Sequence, residues 1–206
     1  MPAEILHIHP ENPQPRLIAQ VVDVFRNGGI VIYPTDTVYA MGCDINQNRA
    51  IERLSKIKGL KVKKNNFSII CNDLSDIATY AKVSNQVFKT MKSYVPGPYT
   101  FILPATNDLP KLLQTNRKSI GIRVPNHPIP LEIVRQLGNP IITTSVKDDI
   151  FDIIEYPNEI DEIYESNKHN ADLIIDGSWC GIVPSTVVDM TTDNFEIIRE
   201  GLGEFE

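Results

Sequence analysis

Hydroxyl side chains cluster directly after a short apolar run in the first quarter of the chain. Thr35, Thr37 and Tyr39 stand at alternate positions after Pro34. Hydroxyls on a rigid turn suit the recognition of a small polar ligand, because each can both donate and accept a hydrogen bond. The same spacing also suits a turn whose threonines bond their own backbone. From these residues alone, both interpretations stay open.

An arginine inside an apolar strand is the second candidate for chemistry. Arg123 lies in the run Ser119–Val124, where a guanidinium without a partner would be costly. It therefore needs an anion, and its planar fork suits a carboxylate or a phosphate. The partner is either a bound ligand or an internal Asp or Glu.

Further polar residues stand where apolar runs begin or end. Thr143 and Ser145 close one apolar run, Ser185 opens another, and Arg199 precedes Gly201. Strand ends are common ligand sites in α/β sheets. These residues therefore add hydroxyls and a second arginine to the candidate site.

The elements that must position these residues can be read from the apolar periodicity. Strands are expected at 4–9, 30–33, 67–71, 99–104, 119–124, 140–144, 173–175, 186–189 and 195–199. Helices are expected at 12–27, 48–57, 74–80, 85–94, 129–137 and near 159–165. The remaining segments 58–66 and 148–158 are expected to be loops. Because strands and helices mix without a strict βαβ rhythm, the prediction is an α/β fold, a twisted mixed sheet flanked by helices. No linker interrupts residues 1–206, so a single domain is expected.

Composition excludes several classes of protein. No apolar run approaches the roughly 18 residues that cross a bilayer, and the first residues lack the features of a signal peptide. The three cysteines are far apart, which predicts neither disulfides nor a zinc site, and free thiols fit the cytoplasm. There is no Walker phosphate loop, dinucleotide-binding glycine motif or nucleophile elbow.

Charge is uneven along a chain whose net charge is −6. That balance argues against a protein whose whole surface grips nucleic acid. Lysines nevertheless crowd one segment, among them Lys61, Lys63 and Lys64. Such a run is either a solvated loop or a local phosphate-binding or RNA-binding rim.

The order of these motifs resembles the YrdC/YciO family, which includes threonylcarbamoyl-AMP synthases. The resemblance runs from about Gly28 to Gly201 and rests on five motifs. The segment His9-Pro10-Glu11-Asn12-Pro13-Gln14, which precedes them, is most like the YciO branch. The five motifs read PTDTVY, PGPYT, IRVPNHP, PST and REG. The resemblance implies a YrdC-like domain and a nucleotidyltransferase that joins threonine, bicarbonate and ATP, with Mg²⁺, in tRNA modification. It also implies tRNA or double-stranded RNA as a partner.

Matching motif positions implies a role for each candidate residue. Threonine would be bound by Thr35, Arg123, Thr143 and Ser185. The nucleotide would be bound by Lys58, Asn66, Ser119, Ser145 and Arg199. Lys58 and Arg123 would be the catalytic residues, and Lys61, Lys63 and Lys64 would contact RNA.

Three positions differ from the synthase pattern. Leu60 stands where the synthases carry an arginine, Lys147 where they carry an asparagine, and Cys71 where a histidine is common. These differences leave three alternatives: a weak synthase, an RNA-binding module with a nucleotide pocket, or another carbamoyl or acyl-adenylate transfer.

Overall fold

A computed structural model describes residues 1–59, 67–110, 112–113, 118–150, 153–178 and 180–206. The strands within these ranges are β1 (Glu4–His7), β2 (Val31–Tyr33), β3 (Ala40–Asp44), β4 (Ser68–Ile70), β5 (Tyr99–Pro104), β6 (Ser119–Arg123), β7 (Ile141–Ser145), β8 (Asp148–Ile150), β9 (Ile153–Glu155), β10 (Leu173–Asp176), β11 (Thr186–Asp189) and β12 (Glu196–Arg199). The helices are α1 (Pro15–Arg26), α2 (Asn48–Ile57), α3 (Leu74–Tyr80), α4 (Asn85–Lys92), α5 (Pro128–Leu137) and α6 (Ile160–Asn167).

Ten of these strands form one mixed sheet in the order β1-β10-β2-β3-β7-β4-β6-β5-β11-β12. The sheet contains four parallel pairs, which are β1 with β10, β10 with β2, β4 with β6, and β5 with β11. Its other pairs, such as β3 with β7 and β5 with β6, are antiparallel. The predicted α/β mixed sheet is confirmed. Strands β8 and β9 pair only with each other among the described elements.

Two apolar clusters lie on opposite faces of this sheet. On β2, Val31 and Tyr33 belong to one cluster and Ile32 to the other, as the alternation of side chains along a strand requires. Helices α1 and α5 pack in the cluster with Tyr33, while α2, α3, α4 and α6 contribute to the cluster with Ile32. Helices therefore flank the sheet on both faces.

The helix boundaries follow from local chemistry. Pro15 and Pro128 stand in the first turns of α1 and α5, where a missing N–H is no loss. Gly138 ends α5 at φ +82°, a conformation that glycine adopts without a steric penalty.

The sequence interpretation missed two features. Strand β3 was not predicted, because its residues are buried throughout and show no apolar–polar alternation. The acidic segment after Lys147 was read as a loop, but it forms the short antiparallel pair β8–β9. Charged side chains at the start of β8 and the end of β9 hid that hairpin.

Candidate functional site

A cavity of about 420 Å³ opens over one end of the sheet. Its walls include six of the residues predicted from the sequence, and these come from three different strands and one loop. They are Ser119, Arg123, Thr143, Ser145, Ser185 and Arg199. The fold thus brings together residues that lie up to 80 positions apart in the chain. A volume of this size is typical of a site for a small molecule.

Strand register explains why these residues lie on one face of the sheet, which forms the floor of the cavity. Ser68 pairs with Thr143 on one side and with Gly121 on the other, and Ile102 pairs with Gly121 and with Asp189. Directly paired residues place their side chains on the same face of a sheet. At a spacing of about 4.8 Å per strand, the row from Thr143 to Asp189 is about 19 Å long. The cavity floor is therefore long enough for an extended ligand.

Gly121 keeps the middle of this row open. A Cβ at this position would overlap with Ser68 Oγ and would come within 3.2 Å of Thr100 Cγ2. The absence of a side chain leaves the floor free between Ser68 and Ile102, so a ligand can lie flat across β6.

The turn that precedes β3 binds the guanidinium of Arg123 through hydrogen bonds. Arg123 Nη2 donates to Asp36 Oδ1 at 2.9 Å and to Thr37 Oγ1 at 3.1 Å. The Arg123 side chain is only 5% exposed and that of Asp36 only 9%. Burial lowers the pKa of the guanidinium, and the charge of Asp36 opposes this shift. The internal carboxylate that the sequence left open as a partner is therefore present, as Asp36.

The buried Nε of Arg123, unlike its Nη2, lacks a hydrogen-bond acceptor among the residues that the structure describes. A buried donor without an acceptor is unfavourable and rare in native proteins. Since Arg123 lines the cavity, its guanidinium is a candidate partner for an anionic ligand.

Thr143 receives a hydrogen bond from a buried tyrosine. Tyr33 is fully buried, and its hydroxyl donates to Thr143 Oγ1 at 2.8 Å. Burial raises the pKa of Tyr33, so the phenol keeps the proton that it donates. A hydroxyl has one donor of its own. The Thr143 proton is therefore left to a partner other than Tyr33.

Hydrogen bonds join Ser185, Thr100 and Arg199 on the side of the cavity that faces away from Thr143. The Ser185 and Thr100 hydroxyls lie 2.8 Å apart. Arg199 donates from Nη2 and Nε to the carbonyl of Ser185, at 2.7 and 3.1 Å. This fixes the Arg199 guanidinium against β11 beside the cavity, where it gives that wall a positive charge.

Two predicted residues do not line the cavity. The hydroxyl of Thr35 donates to Val38 O at 2.7 Å and accepts from Thr37 N at 3.1 Å, so it serves the turn itself. Lys58 Nζ donates to the carbonyl of Ser145, a residue of the wall, at 2.8 Å. Their roles in ligand binding stay predictions.

Other cavity residues were not picked out by the sequence. Ser68, Thr100, Asp189 and Tyr156 line the wall, as does Lys147, which had been noted only as a departure from the synthase pattern. Thr100 belongs to the PGPYT motif, which was quoted without a role for this residue, and Asp189 lies three residues after the PST motif, so strand pairing was the missing information. Ser68 and Tyr156 carry no sequence signal that separates them from ordinary surface positions.

The remaining predictions fall outside the residues that the structure describes. Asn66, Lys61, Lys63 and Lys64 all lie in the segment 60–66, so their roles toward nucleotide and RNA stay predictions. Among the described residues, no three His, Cys, Asp or Glu side chains group as metal ligands. None of the described helices is long and apolar enough to cross a membrane.

The three cysteines, Cys43, Cys71 and Cys180, are buried. Burial raises the pKa of each thiol, to about 12 for Cys43. Thiolate is the reactive form of cysteine. Cys71, which stands where the synthases commonly carry a histidine, is therefore an inert core residue.

Comparisons with known proteins agree with this geometry. Residues 23–201 match the family model for Sua5, YciO and YrdC, described as telomere recombination. The chain is 42% identical to YciO of Escherichia coli strain K12, over 98% of this chain and 97% of that protein. It is 35% identical to a threonylcarbamoyl-AMP synthase of an Enterobacter species, over 62% of this chain and 68% of the synthase.

Solved structures extend the likeness to the fold. The crystal structure of Escherichia coli YciO superposes with a TM-score of 0.91, covering 98% of this chain and 97% of that one. That of P. abyssi Sua5, complexed with L-threonine, superposes with a TM-score of 0.85 at 25% identity. The match covers 96% of this chain and 57% of the Sua5 chain.

Proposed function

Since the chain belongs to the Sua5, YciO and YrdC family, we propose that its cavity binds L-threonine and ATP and forms threonylcarbamoyl-AMP. The observation that carries the proposal is the buried guanidinium of Arg123 in the cavity wall, whose Nη2 is held by Asp36 and Thr37. An α-carboxylate offers the oxygen acceptors that such a group requires. The relative Sua5, crystallised with L-threonine, supports an amino acid as the ligand.

The reaction joins three substrates in two bond-forming steps. The threonine nitrogen forms a bond to the carbon of bicarbonate, water leaves, and a carbamate results. A carbamate oxygen then forms a bond to the α-phosphorus of ATP, the bond between the α-phosphorus and the bridging oxygen breaks, and pyrophosphate leaves. Phosphoryl and nucleotidyl transfers of this kind depend mainly on positioning and on neutralising charge.

The walls of the cavity offer groups for both ends of such a product. Arg123, Thr143 and Ser185 would hold the amino acid. Arg199, Ser119 and Ser145 would face the nucleotide, and Lys58 would hold the Ser145 carbonyl. The 19 Å row of the floor is long enough to separate a carboxylate from a nucleoside.

Mg²⁺ would enter as part of the nucleotide substrate. Mg²⁺ usually keeps several waters and is held by phosphates with one or two carboxylates. Asp189 is the carboxylate on the described part of the wall, and its Oδ1 already accepts from Thr191 N at 2.8 Å. The donor set therefore suits a cation carried mainly by ATP rather than a resident metal.

The test is a direct assay of product formation. The full chain is incubated with L-threonine, bicarbonate, ATP and Mg²⁺, and pyrophosphate release is followed while threonylcarbamoyl-AMP is identified by mass spectrometry. We expect product that depends on all three substrates and falls at least about tenfold in Arg123→Lys, since lysine cannot reproduce the fork. Asp44→Asn, which alters a buried aspartate away from the cavity, is the matched control. Equal product from the wild type and Arg123→Lys would refute the proposal.

A screen of ligands separates this reaction from another acyl-adenylate transfer. Thermal shifts are measured with L-threonine, other amino acids, ATP and AMP, each alone and in pairs. A ligand bound at 100 times its Kd stabilises the fold by about 2.7 kcal/mol, which is readily measured. If another amino acid or acid stabilises the chain more than L-threonine does, the substrate class must be reassigned.

A further inference from the structure

The turn at Thr35–Thr37 has a clear geometric relation to Arg123. Each of its polar side chains is committed inside the protein: Thr35 to the turn backbone, Asp36 and Thr37 to the arginine. Asp36 is also bonded through its second oxygen, Oδ2, which accepts from Asn126 N at 2.9 Å. One carboxylate thus links the turn before β3, the guanidinium on β6 and the chain after β6.

We propose that Asp36 is a positioning residue that acts through Arg123 to prepare the carboxylate site. The inference rests on the proposed function, since it takes the bound carboxylate to be that of L-threonine. With Nη2 engaged by Asp36 and Thr37, the guanidinium cannot turn about its long side chain. The guanidinium is then held in one orientation in the cavity wall before a ligand binds.

Two physical arguments favour a positioning role. First, the Asp36 carboxylate makes hydrogen bonds from both oxygens, to an arginine and to a backbone amide, so its own orientation is fixed. Second, binding a carboxylate requires a donor already in place, because ordering a long side chain on binding lowers affinity. An arginine held in place before the ligand arrives avoids that loss.

The alternative is that Asp36 serves only as a counterion. A buried guanidinium requires a negative neighbour, and Asp36 would then merely reduce the positive charge that the ligand meets. The two roles predict opposite signs. Removing a counterion should strengthen carboxylate binding, whereas removing a positioning residue should weaken it.

The experiment measures L-threonine and ATP affinities by calorimetry for the wild type, Asp36→Asn and Asp36→Glu. Asparagine removes the charge and can accept through only one of its two side-chain atoms, so it cannot keep both hydrogen bonds. We expect Asp36→Asn to weaken L-threonine binding by about 10- to 100-fold, the range for a lost hydrogen bond to a charged group. ATP affinity should stay within about twofold, and Asp36→Glu should recover part of the L-threonine affinity.

A double-mutant cycle tests whether Asp36 acts through Arg123. In the Arg123→Lys background, Asp36→Asn should change L-threonine affinity by less than about threefold, because the arginine that it positions is already gone. Asp44→Asn is the matched control. Asp44 is buried and also accepts from a backbone amide, Asn46 N at 2.9 Å, and from a side chain, Asn139 Nδ2 at 2.7 Å. It should lower stability without changing L-threonine affinity.

Each outcome has one meaning. Weaker L-threonine binding with unchanged ATP binding supports the positioning role. Tighter binding in Asp36→Asn identifies a counterion and overturns the inference, and so does a parallel loss of both ligands, which identifies a purely structural residue. A wild-type chain that binds ATP but not L-threonine overturns the proposed function, and the inference falls with it.

Discussion

Replacing Arg123 by methionine should destabilise the fold by about 3–5 kcal/mol, the range for breaking a buried ion pair by removing one partner. Methionine keeps most of the side-chain length, so the main loss is electrostatic. The change removes the hydrogen bonds to Asp36 Oδ1 at 2.9 Å and to Thr37 Oγ1 at 3.1 Å. Both members of the ion pair are at least nine-tenths buried, so solvent screens the pair little.

The expected loss of stability in Arg123→Met arises mainly because the Asp36 carboxylate stays buried without its cationic partner. Without Arg123, Asp36 keeps only the bond from Asn126 N, and its charge stays in a buried site. Removing that charge as well should recover much of the loss, because replacing both partners is far less costly than breaking the pair. Asp36→Asn added to Arg123→Met should therefore cost clearly less than the sum of the two single changes.

The assay is urea unfolding of the four proteins of this cycle at neutral pH, with the free energy of unfolding taken by linear extrapolation. Arg135→Met is the matched control, since Arg135 pairs with Glu132 on the surface and its loss should change stability little. A loss below about 1 kcal/mol in Arg123→Met would refute the reasoning, as would strict additivity with Asp36→Asn.

Three further predictions concern the sheet beneath the cavity. Tyr33→Phe removes the hydroxyl that donates to Thr143 and should lower the free energy of unfolding by about 1 kcal/mol, measured in urea. Gly121→Ala forces a Cβ against Ser68 and should cost about 1–3 kcal/mol in the same assay; an unchanged midpoint would contradict the close contact. Burial raises the pKa of Cys43 to about 12, so its thiol stays protonated in the fold after the unfolded thiol ionises. The buried thiol therefore makes its full contribution to the free energy of unfolding below about pH 8.5, and this contribution is lost as the pH rises, by up to about 1.4 kcal/mol per pH unit. Native Cys43 should also resist alkylation at about pH 8.5.

The sequence predicted the strands of the large sheet well because most of them are short apolar runs bounded by Gly, Pro or polar residues. It failed at β3, since Ala40–Asp44 is buried throughout and follows directly from a turn rich in hydroxyls. Local periodicity cannot separate such a strand from the turn that precedes it. The acidic β8–β9 pair was missed because its charged residues favour a loop in any local reading.

Site residues could be predicted from the sequence where a side chain in an apolar segment requires a polar partner. An arginine in an apolar strand requires an anion wherever the strand lies, so Arg123 could be identified before any fold was known. That the anion is Asp36, 87 positions away, follows only from the packing of the turn against β6. For Thr35 the two readings of the turn were both sound, and tertiary contacts give its hydroxyl to Val38 and Thr37.

The two ends of the cavity rest on different residues, and this leads to a last prediction. At the amino-acid end, Arg123, Thr143 and Ser185 all lie on the wall. At the phosphate end, the family resemblance expects an arginine at position 60 and an asparagine at position 147, where this chain has Leu60 and Lys147. Leucine at position 60 offers no charge where an arginine would pair its fork with phosphate oxygens, so positioning of the phosphates should be the weaker half of the site.

Leu60→Arg combined with Lys147→Asn should therefore raise pyrophosphate release while leaving L-threonine affinity within about twofold. A gain of about tenfold corresponds to about 1.4 kcal/mol of transition-state stabilisation, which is modest for one charge-assisted contact. The same double change in the Arg123→Lys background is the control, because a restored phosphate end cannot act on an amino acid that is not held. If the double variant releases no more pyrophosphate than the wild type, the phosphate end is not what limits the reaction. If it gains rate but loses L-threonine affinity in proportion, then the two ends are not independent, and Lys147 must contribute to holding the amino acid.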